Sequence, residues 1–308
     1  MTDWLHKLLR LVFGIWAVVT ISFMCTYMLP GDPARIILGP QASAETLARF
    51  RSEYSLDQSL SAQYVSYASK VAKLDLGESF AQRQPVARLL LARGITSFSL
   101  AISAVCIAIG LGMFLPLLMA MSGSDRLNTA YGLILQAFAF PPPYLLAVAA
   151  LGFVAGFLKI APVMFDPNSR VSWLAAAIVL SAYPSALLFR LFIQCVRREM
   201  SQPYAHRAAA SGFSRQHVLL HEVFRNACAE LFASATNALA FFFTSAFFVE
   251  TVFGIGGLGR LAQEAIRQKD VATLNGVCLA LCALVTITSL VMDAVHTVLF
   301  GKSKATVR

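Results

Sequence analysis

The sequence predicts an all-α integral membrane protein with six transmembrane helices. Of its 308 residues, 57% are hydrophobic and 13% are charged, and the mean hydropathy is +0.67. Soluble domains carry about 25% charged residues, so this chain lacks the polar side chains that would cover a water-facing surface. Six segments are apolar over the roughly 20 residues that cross a bilayer. They are residues 11–29, 95–121, 127–158, 171–196, 231–253 and 274–300.

The first apolar segment is predicted to be retained as a membrane span. Lys7 and Arg10 precede it, as basic residues precede the apolar part of a signal peptide. No cleavage site with two small residues follows, and the segment ends in Leu-Pro-Gly-Asp-Pro. Both features favour a span over a cleaved signal.

Residues 30–94 form a long connection that is predicted to fold against the ends of the spans. Ser43 can cap a helix with an apolar stripe of Leu47, Phe50 and Tyr54. A second stripe consists of Leu60, Tyr64, Tyr67 and Val71. Because about sixty residues bury too little surface to fold alone, both stripes require a partner surface.

Prolines interrupt the third and fourth spans. Pro141, Pro142 and Pro143 lie at mid-depth of the third span, where the helix must break or kink because proline has no N–H to donate. Such a break is tolerated where the backbone is buried in protein or lines a wet cavity, and it indicates a translocation path. Pro184 is predicted to interrupt the fourth span similarly, with a kinked but packed helix as the equal alternative.

Residues 200–230 form the longest polar segment in the second half of the chain. Ser201 and Pro203 predict a helix start, and Gly212 predicts its left-handed end. Ser214 then caps a second helix. The apolar side of that helix is predicted to contain Phe213, Leu220, Phe224 and Cys228. Two basic helices around a glycine suit a lever that docks on another protein, and an ordinary basic cytoplasmic loop is the alternative.

The end of the fifth span carries a carboxylate and a run of glycines. Glu250 requires a partner or water there, which predicts a structural or gating role. Residues 254–259 match the dinucleotide-binding pattern GxGxxG, but a membrane span precedes them in place of a strand. We predict a tight turn into an interfacial helix at residues 261–268. The candidate gating or translocation residues are the three prolines together with Glu250, Gly257 and Gly259.

Charge and cysteine positions also indicate a membrane protein. Short loops carry much of the formal net charge of +9, which favours membrane orientation over nucleic-acid binding. Counting Lys and Arg in these loops predicts that both termini are cytoplasmic. The six cysteines lie in or beside apolar runs without a CxxC pair, which predicts free thiols.

His217 and His221 lie four residues apart, a spacing that can bind zinc on a helix. Glu222 follows the second histidine instead of the first, so the HExxH order of metalloproteases is absent. We predict incidental histidines, no metal site and no catalytic residues in this chain. A membrane metalloenzyme that uses the two histidines is the competing hypothesis.

The segment after Gln202 resembles the cytoplasmic EAA loop of ABC-importer membrane subunits, and more closely that of the dipeptide/oligopeptide/nickel permease family. The matching residues are Tyr204, Ala208, Ala210, Gly212, Val218, Leu219, Leu220, Arg225, Asn226 and Ala227. His206 and Arg207 stand where the general motif has Glu-Ala, and Ala229-Glu230 replaces a Leu/Ile-Pro pair. The resemblance implies a loop that couples to an ATPase. Its coupling residues would be Tyr204, His206, Arg207, Ala208, Gly212, Arg225 and Asn226.

Other segments resemble the same family, in order along the chain. They are residues 29–34, 56–58, 63–64, 75–79, 249–253, 257–261 and 269–270. Gly254-Ile255-Gly256 replaces the family's Ser/Ala-Trp-Pro. Several matches at the right spacing are far more specific than any one of them.

The resemblance implies a type I ABC importer permease fold in a bacterial inner membrane. Its partners would be a homologous second permease, two cytosolic ATPases that bind ATP and Mg²⁺, and an extracytoplasmic solute-binding protein. This chain itself would bind no cofactor. The cargo would be short peptides or a nickel or other metal chelate. A channel or carrier that works without ATPases is the alternative.

The predicted organisation has four parts. Residues 1–30 are the cytoplasmic N-terminus and first span, and residues 31–94 are an extracytoplasmic helical segment. Residues 95–300 form a core of five transmembrane helices that includes the 200–230 loop. Residues 301–308 are a basic cytoplasmic tail.

Overall fold

A computed structural model describes residues 12–24, 43–53, 58–79, 81–160, 162, 166, 169–224, 242 and 244–300. The chain divides into two compact units. The first comprises Met1–Thr96 and Gly256–Thr286, and the second comprises Ser97–Ile255 and Ile287–Arg308. The domain division made from the sequence remains a prediction.

The described elements are helices and one small hairpin. The first three helices are α1 (Val12–Met24), α2 (Ala44–Glu53) and α3 (Leu60–Ala72). An antiparallel hairpin follows, in which β1 (Glu78–Ser79) pairs with β2 (Gln84–Pro85). The next helices are α4 (Val86–Met121), α5 (Asp125–Ala139), α6 (Pro143–Phe157) and α7 (Arg170–Met200). The remaining helices are α8 (Pro203–Ala210), α9 (215–224), α10 (Thr244–Phe253), α11 (Leu258–Gln268) and α12 (Val271–Phe300).

Several of these helices are long and apolar enough to cross a membrane. In the described part of the chain, α4, α7 and the first 22 residues of α12 meet that requirement, and α5 with α6 gives a fourth span if the bent pair is counted as one. The shorter apolar helices α1 and α10 lie within the predicted first and fifth spans. Most of predicted span 231–253 and part of 11–29 lie outside the described residues. The count of six spans therefore stays a prediction.

The structure describes the second apolar stripe of residues 30–94 completely and the first stripe only in part. Ser43 caps α2 as predicted, because its Oγ accepts the Thr46 N–H at 3.2 Å. Leu47 is buried, while Tyr54 and the Phe50 side chain lie outside the described part. In α3, the Tyr64 hydroxyl lies 2.8 Å from Thr20 Oγ1 of α1. Tyr64 of the second stripe thus contacts α1, whereas Leu60 is 60% exposed, and packing of the whole stripe against a span stays a prediction.

The aromatic contacts of α3 extend along α1. Phe23 packs its ring on Tyr64 and Tyr67, with centroid separations of 5.4 and 5.9 Å. The Tyr67 hydroxyl lies 3.5 Å from Ser22 Oγ. Burial raises the pKa of Tyr67, which lies outside the membrane-spanning helices. The α3 helix is thus attached to α1 by an aromatic face with its hydroxyls paired.

In the second unit, α4 and α7 approach closely at a glycine. A Cβ added at Gly112 would lie 2.7 Å from both Leu188 Cβ and the Ser185 carbonyl oxygen. The stretch Gly110–Phe114 is a π-helical turn, and the Tyr131 hydroxyl of α5 donates to the Leu111 carbonyl there at 2.7 Å. Small residues at such contacts let helix backbones pack together in a membrane.

The predicted interruption of the fourth span at Pro184 is wrong. The α7 helix runs through Pro184 for 31 residues, so the packed-helix alternative is the correct one. Pro184 is buried, and the neighbouring Ser185 hydroxyl donates to the Ser181 carbonyl at 2.7 Å. Proline is tolerated inside a span where neighbouring helices and serine side chains support the backbone.

Candidate functional site

The residue that caps α8 lies one position after the serine predicted for this role. Gln202 is the extended residue before the helix, and Pro203 occupies a first-turn position. Ser201 instead ends α7, because its Oγ donates to the Arg198 carbonyl at 2.7 Å. The prediction of Ser201 as the cap is therefore wrong, while the role of Pro203 at the helix start is confirmed.

Tyr204 connects α8 back to the end of α7. Its hydroxyl donates to Glu199 Oε2 at 2.6 Å. The Arg198 guanidinium donates to the other oxygen of the same carboxylate, at 3.2 Å from Nη2. The Glu199 side chain is only 13% exposed, so this carboxylate fixes the angle between the two helices from a mostly buried position. The sequence patterns did not single out Glu199.

Gly212 adopts the left-handed conformation that the sequence predicts, with φ +90°. Its N–H donates to the Ala209 carbonyl at 3.0 Å, and the Phe213 N–H donates to the Ala208 carbonyl at 3.3 Å. This pair of bonds is the Schellman ending of a helix. The predicted cap at Ser214 is also present, since its Oγ accepts the His217 N–H at 3.3 Å.

The apolar side predicted for α9 is wrong. Phe213 and Leu220 are 52% and 38% exposed, whereas Val218 and Val223 are at most 2% exposed. The buried pair Leu219 and Val223 lies one position before the predicted pair Leu220 and Phe224, within a π-helical turn at residues 218–223. The predicted stripe is therefore one residue out of register with the buried one. Phe224 does pack inward on Phe192, with centroids 6.4 Å apart, and Cys228 lies outside the described part.

The inner faces of α8 and α9 join an apolar cluster with the end of α7. Its buried members are Leu117, Ala120, Phe192, Cys195, Val196, Ala205, Val218, Leu219 and Val223. Tyr204 and Ala208 pack against this cluster while partly buried. His206 and Arg207 are exposed on α8. Arg225 and Asn226 lie outside the described residues, so their predicted role in coupling is not addressed by the structure.

Three rings stack on the surface of α9. The ring centroids of Phe213 and His217 are 4.6 Å apart, and those of His217 and His221 are 4.3 Å apart. The two imidazoles are within 18° of parallel, so their in-plane lone pairs do not converge on one ion. His221 Nδ1 also lies 3.2 Å from the His217 carbonyl oxygen. This geometry disfavours the zinc site of the metalloenzyme hypothesis.

The break predicted at the three consecutive prolines is confirmed. The axes of α5 and α6 meet at 95° across this junction. Pro142 has an extended conformation, and Pro143 begins α6. Phe140, at the junction, is 90% exposed in the isolated chain. The role of Pro141, Pro142 and Pro143 in translocation remains a prediction.

Glu250 has the partner that a buried carboxylate in a span requires. It is fully buried near the end of α10, and the Ser97 hydroxyl donates to its Oε1 at 2.6 Å. The Glu250 carbonyl accepts the Ile255 N–H at 2.9 Å, which closes the turn after α10. The predicted structural role is supported, whereas a gating role stays a prediction. Ser97 could not be identified from its sequence position.

The glycine run forms a turn followed by a helix, as predicted. Gly254 has φ +73°, and a helix rather than a strand precedes it. Gly257 is the extended residue before α11, whose N-terminus lies at Leu258 instead of the predicted residue 261. Gly259 is buried in the first turn of α11. A dinucleotide-binding motif requires a strand before the glycines, so this interpretation is not supported.

Long apolar helices, a sharply bent apolar helix pair and a polar helical hairpin are the features of an integral membrane transport protein. Residues 112–303 match the family described as binding-protein-dependent transport system inner membrane component. Residues 4–101 match the N-terminal part of such a membrane component. The chain belongs to this family, and it is the permease subunit of a binding-protein-dependent ABC transporter of the inner membrane. The resemblance found in the sequence is confirmed.

Individual relatives match over almost their whole length. A protein of Brucella abortus (strain 2308), whose name assigns it to a peptide transport system, is 29% identical over 288 residues. That alignment covers 91% of this chain and 92% of the relative. A glutathione transport system permease of Escherichia coli (strain K12) and one of Shigella boydii serotype 4 are each 27% identical over 298 residues. Those alignments cover 95% of each chain.

Proposed function

We propose that this chain and a homologous second permease form the translocation path for short peptides, including peptides of the size of glutathione. Two cytosolic ATPases would supply the energy through the α8–α9 hairpin (residues 203–224). The observation that carries the proposal is the two-sided character of this hairpin. Its inner face is buried against α7, while His206, Arg207 and Arg215 are exposed on the opposite side.

The α7 helix provides a stiff connection between the hairpin and the rest of the second unit. Its 31 residues span about 46 Å as a continuous helix. One end joins the hairpin cluster, and the opposite half joins a second apolar cluster through Ala176, Ala177, Val179 and Leu180. A force applied at the hairpin would therefore reach this second cluster without loss at a flexible joint. This transmission requires that α7 is a continuous helix at Pro184.

The proposed cycle is alternating access. ATP binding would close the ATPase pair and bring the hairpins of the two permeases together, which would turn the cavity outward. Hydrolysis would reset it. If α5 and α6 form one span, the 95° break between them puts non-helical backbone inside the membrane, which is tolerated where it is buried in protein or lines a cavity. This supports the three prolines as part of the path.

The complete transporter would also contain partners that bind ATP and deliver the cargo. ATP and Mg²⁺ would bind only to the ATPases, and this chain would catalyse no reaction. An extracytoplasmic solute-binding protein would deliver the cargo. Both termini would be cytoplasmic, because the basic short loops collect on that side. The peptide cargo is supported by the names of the relatives from Brucella and Escherichia.

The test of cargo and energy source is uptake by the full transporter in proteoliposomes. Radiolabelled dipeptide, tripeptide, glutathione and a nickel chelate are compared, with ATP enclosed on the cytosolic side. The expected result is uptake of one of the peptides that requires ATP, the binding protein and a hydrolysis-competent ATPase. Uptake that continues without ATP would favour a carrier or channel. Uptake of the nickel chelate alone would contradict the peptide assignment.

The test of the hairpin uses one charge reversal on α8 and a control charge reversal at the far end of α7. Arg207→Glu changes the exposed side of α8, and Arg170→Glu changes the far end of α7. We expect a tagged ATPase to co-purify with the Arg170→Glu protein and to be lost from the Arg207→Glu protein. Equal recovery of the ATPase with both variants would contradict docking at this surface.

A further inference from the structure

The turn between α11 and α12 contains a buried carboxylate that the transport mechanism above does not use. Asp270 is 3% exposed. Its Oδ1 accepts the Thr273 N–H at 3.1 Å, and its Oδ2 accepts the Thr273 hydroxyl at 2.8 Å. The Ser79 hydroxyl also donates to Oδ2, at 2.5 Å, from 191 positions away in the sequence. A desolvated carboxylate depends on such donors, because each lost donor leaves charge unsatisfied.

Ser79 is also the residue on which the β1–β2 hairpin closes. Its Oγ accepts the Gln82 N–H at 3.0 Å, and its carbonyl accepts the Arg83 N–H at 2.8 Å. The Val86 N–H donates to the Gly77 carbonyl at 3.0 Å and completes the loop. One buried hydroxyl therefore orders the hairpin and attaches it to Asp270.

A second contact lies one turn along α12. A Cβ added at Gly276 would lie 2.5 Å from Val86 Cγ1, 3.4 Å from Leu90 Cδ1 and 3.8 Å from Leu76 Cδ1. Glycine at this position lets α12 approach without displacing the Val86 Cγ1 methyl group, which is absent when Val86 is replaced by cysteine. Thr273 and Gly276 lie three residues apart, so the polar and apolar contacts are on neighbouring parts of one helix face.

The geometry points to a latch, which we define as the Ser79–Asp270 hydrogen bond with the Val86–Gly276 contact. We propose that the latch keeps the hairpin (residues 77–86) and the α11–α12 turn together as one moving element throughout the transport cycle. Asp270 is a positioning residue in this proposal and contacts no cargo. The transport cycle rests on the proposed function, whereas the latch itself rests on the contacts of Ser79, Asp270, Val86 and Gly276.

The first experiment fixes the latch covalently. Val86→Cys with Gly276→Cys introduces two thiols at a contact where the Cβ atoms are close enough for a disulfide. In the reconstituted transporter, we expect the oxidised pair to import cargo within about twofold of the reduced pair, since nothing that must separate has been joined. The single-cysteine variants control for pairing with native cysteines. Loss of uptake on oxidation, restored by reductant, would overturn the proposal, as would failure of the pair to oxidise.

The second experiment removes the polar half of the latch and then replaces it. Ser79→Ala is expected to lower uptake several-fold, and oxidation of Ser79→Ala with the cysteine pair is expected to restore it. A residue needed only for folding would not be rescued by oxidation of the assembled protein. Ser79→Thr keeps the hydroxyl and serves as the matched control. Parent-like uptake by Ser79→Ala would overturn the proposal.

A third measurement does not depend on the identity of the cargo. Hydrogen–deuterium exchange of the purified transporter reports the N–H groups of Gln82, Arg83 and Val86. We expect these amides to exchange about tenfold faster in Ser79→Ala than in Ser79→Thr, because the hydroxyl that orders the hairpin is gone. Equal exchange would refute the latch even if no cargo has been found. Absence of uptake by the parent, with faster exchange in Ser79→Ala, would refute only the cargo assignment.

Discussion

Replacement of Gly212 tests whether the hairpin conformation matters for transport. An L-residue pays about 1–2 kcal/mol to adopt a left-handed conformation, and Gly212 has φ +90°. A Cβ added there meets nothing within 4 Å, so no steric clash adds to this value. The ratio of the observed hairpin geometry to other geometries should therefore fall by a factor of about 5–30. Gly212→Val, which is also β-branched, should lie at the upper end of that range.

The assay separates this conformational effect from loss of the protein. Gly212→Val and Gly212→Asn are compared for membrane content, ATPase co-purification and uptake rate. Asparagine enters the left-handed region more readily than other residues, so Gly212→Asn should retain most uptake. We expect Gly212→Val to insert normally and to lose most uptake. If Gly212→Val transports as well as the parent at equal membrane content, the lever argument is refuted.

Three other predictions follow from single contacts. Gly112→Val places a side chain 2.7 Å from a backbone carbonyl of α7, and it should abolish most of the monodisperse protein seen in gel filtration. Gly110→Ala should not have this effect, because the space around Gly110 is open. Glu250→Ala removes the acceptor of the Ser97 hydroxyl and should destabilise the protein by about 1–3 kcal/mol in thermal unfolding, with a smaller effect of Glu250→Gln. Because burial raises the pKa of Tyr67, the contribution of Tyr67 to stability is fully present below its unfolded pKa and decreases as pH rises toward the folded value. Tyr67→Phe should therefore reduce the loss of thermal stability as the pH rises above about 10.

Local rules recovered the parts of the fold that depend on one residue and its neighbours. A proline without an N–H predicted the break between α5 and α6, and Gly212 predicted a positive φ. Ser43 and Ser214 predicted caps that both exist. Each of these features is decided within about four residues, so a single sequence contains what is needed.

The wrong predictions concern features that are decided by residues distant in the sequence. Pro184 lies in a continuous helix because neighbouring residues support its backbone, and the sequence does not show which residues those are. In α9, Leu219 is buried whereas the adjacent Leu220 is 38% exposed. Where two neighbouring residues are both apolar, the hydrophobic period alone does not show which of them faces the core.

The missed partners of the buried carboxylates suggest how more could be extracted from such a sequence. Glu250 pairs with Ser97 and Asp270 pairs with Ser79, across 153 and 191 residues. A carboxylate can be buried among apolar residues only if a hydrogen-bond donor reaches it. Each buried carboxylate in or beside a span therefore requires a polar partner from another part of the chain. Carboxylates are few here, because the chain has only 16 Asp and Glu residues. Each buried carboxylate therefore restricts the tertiary arrangement to those packings that bring a donor to it, whereas apolar residues permit many helix packings of similar free energy.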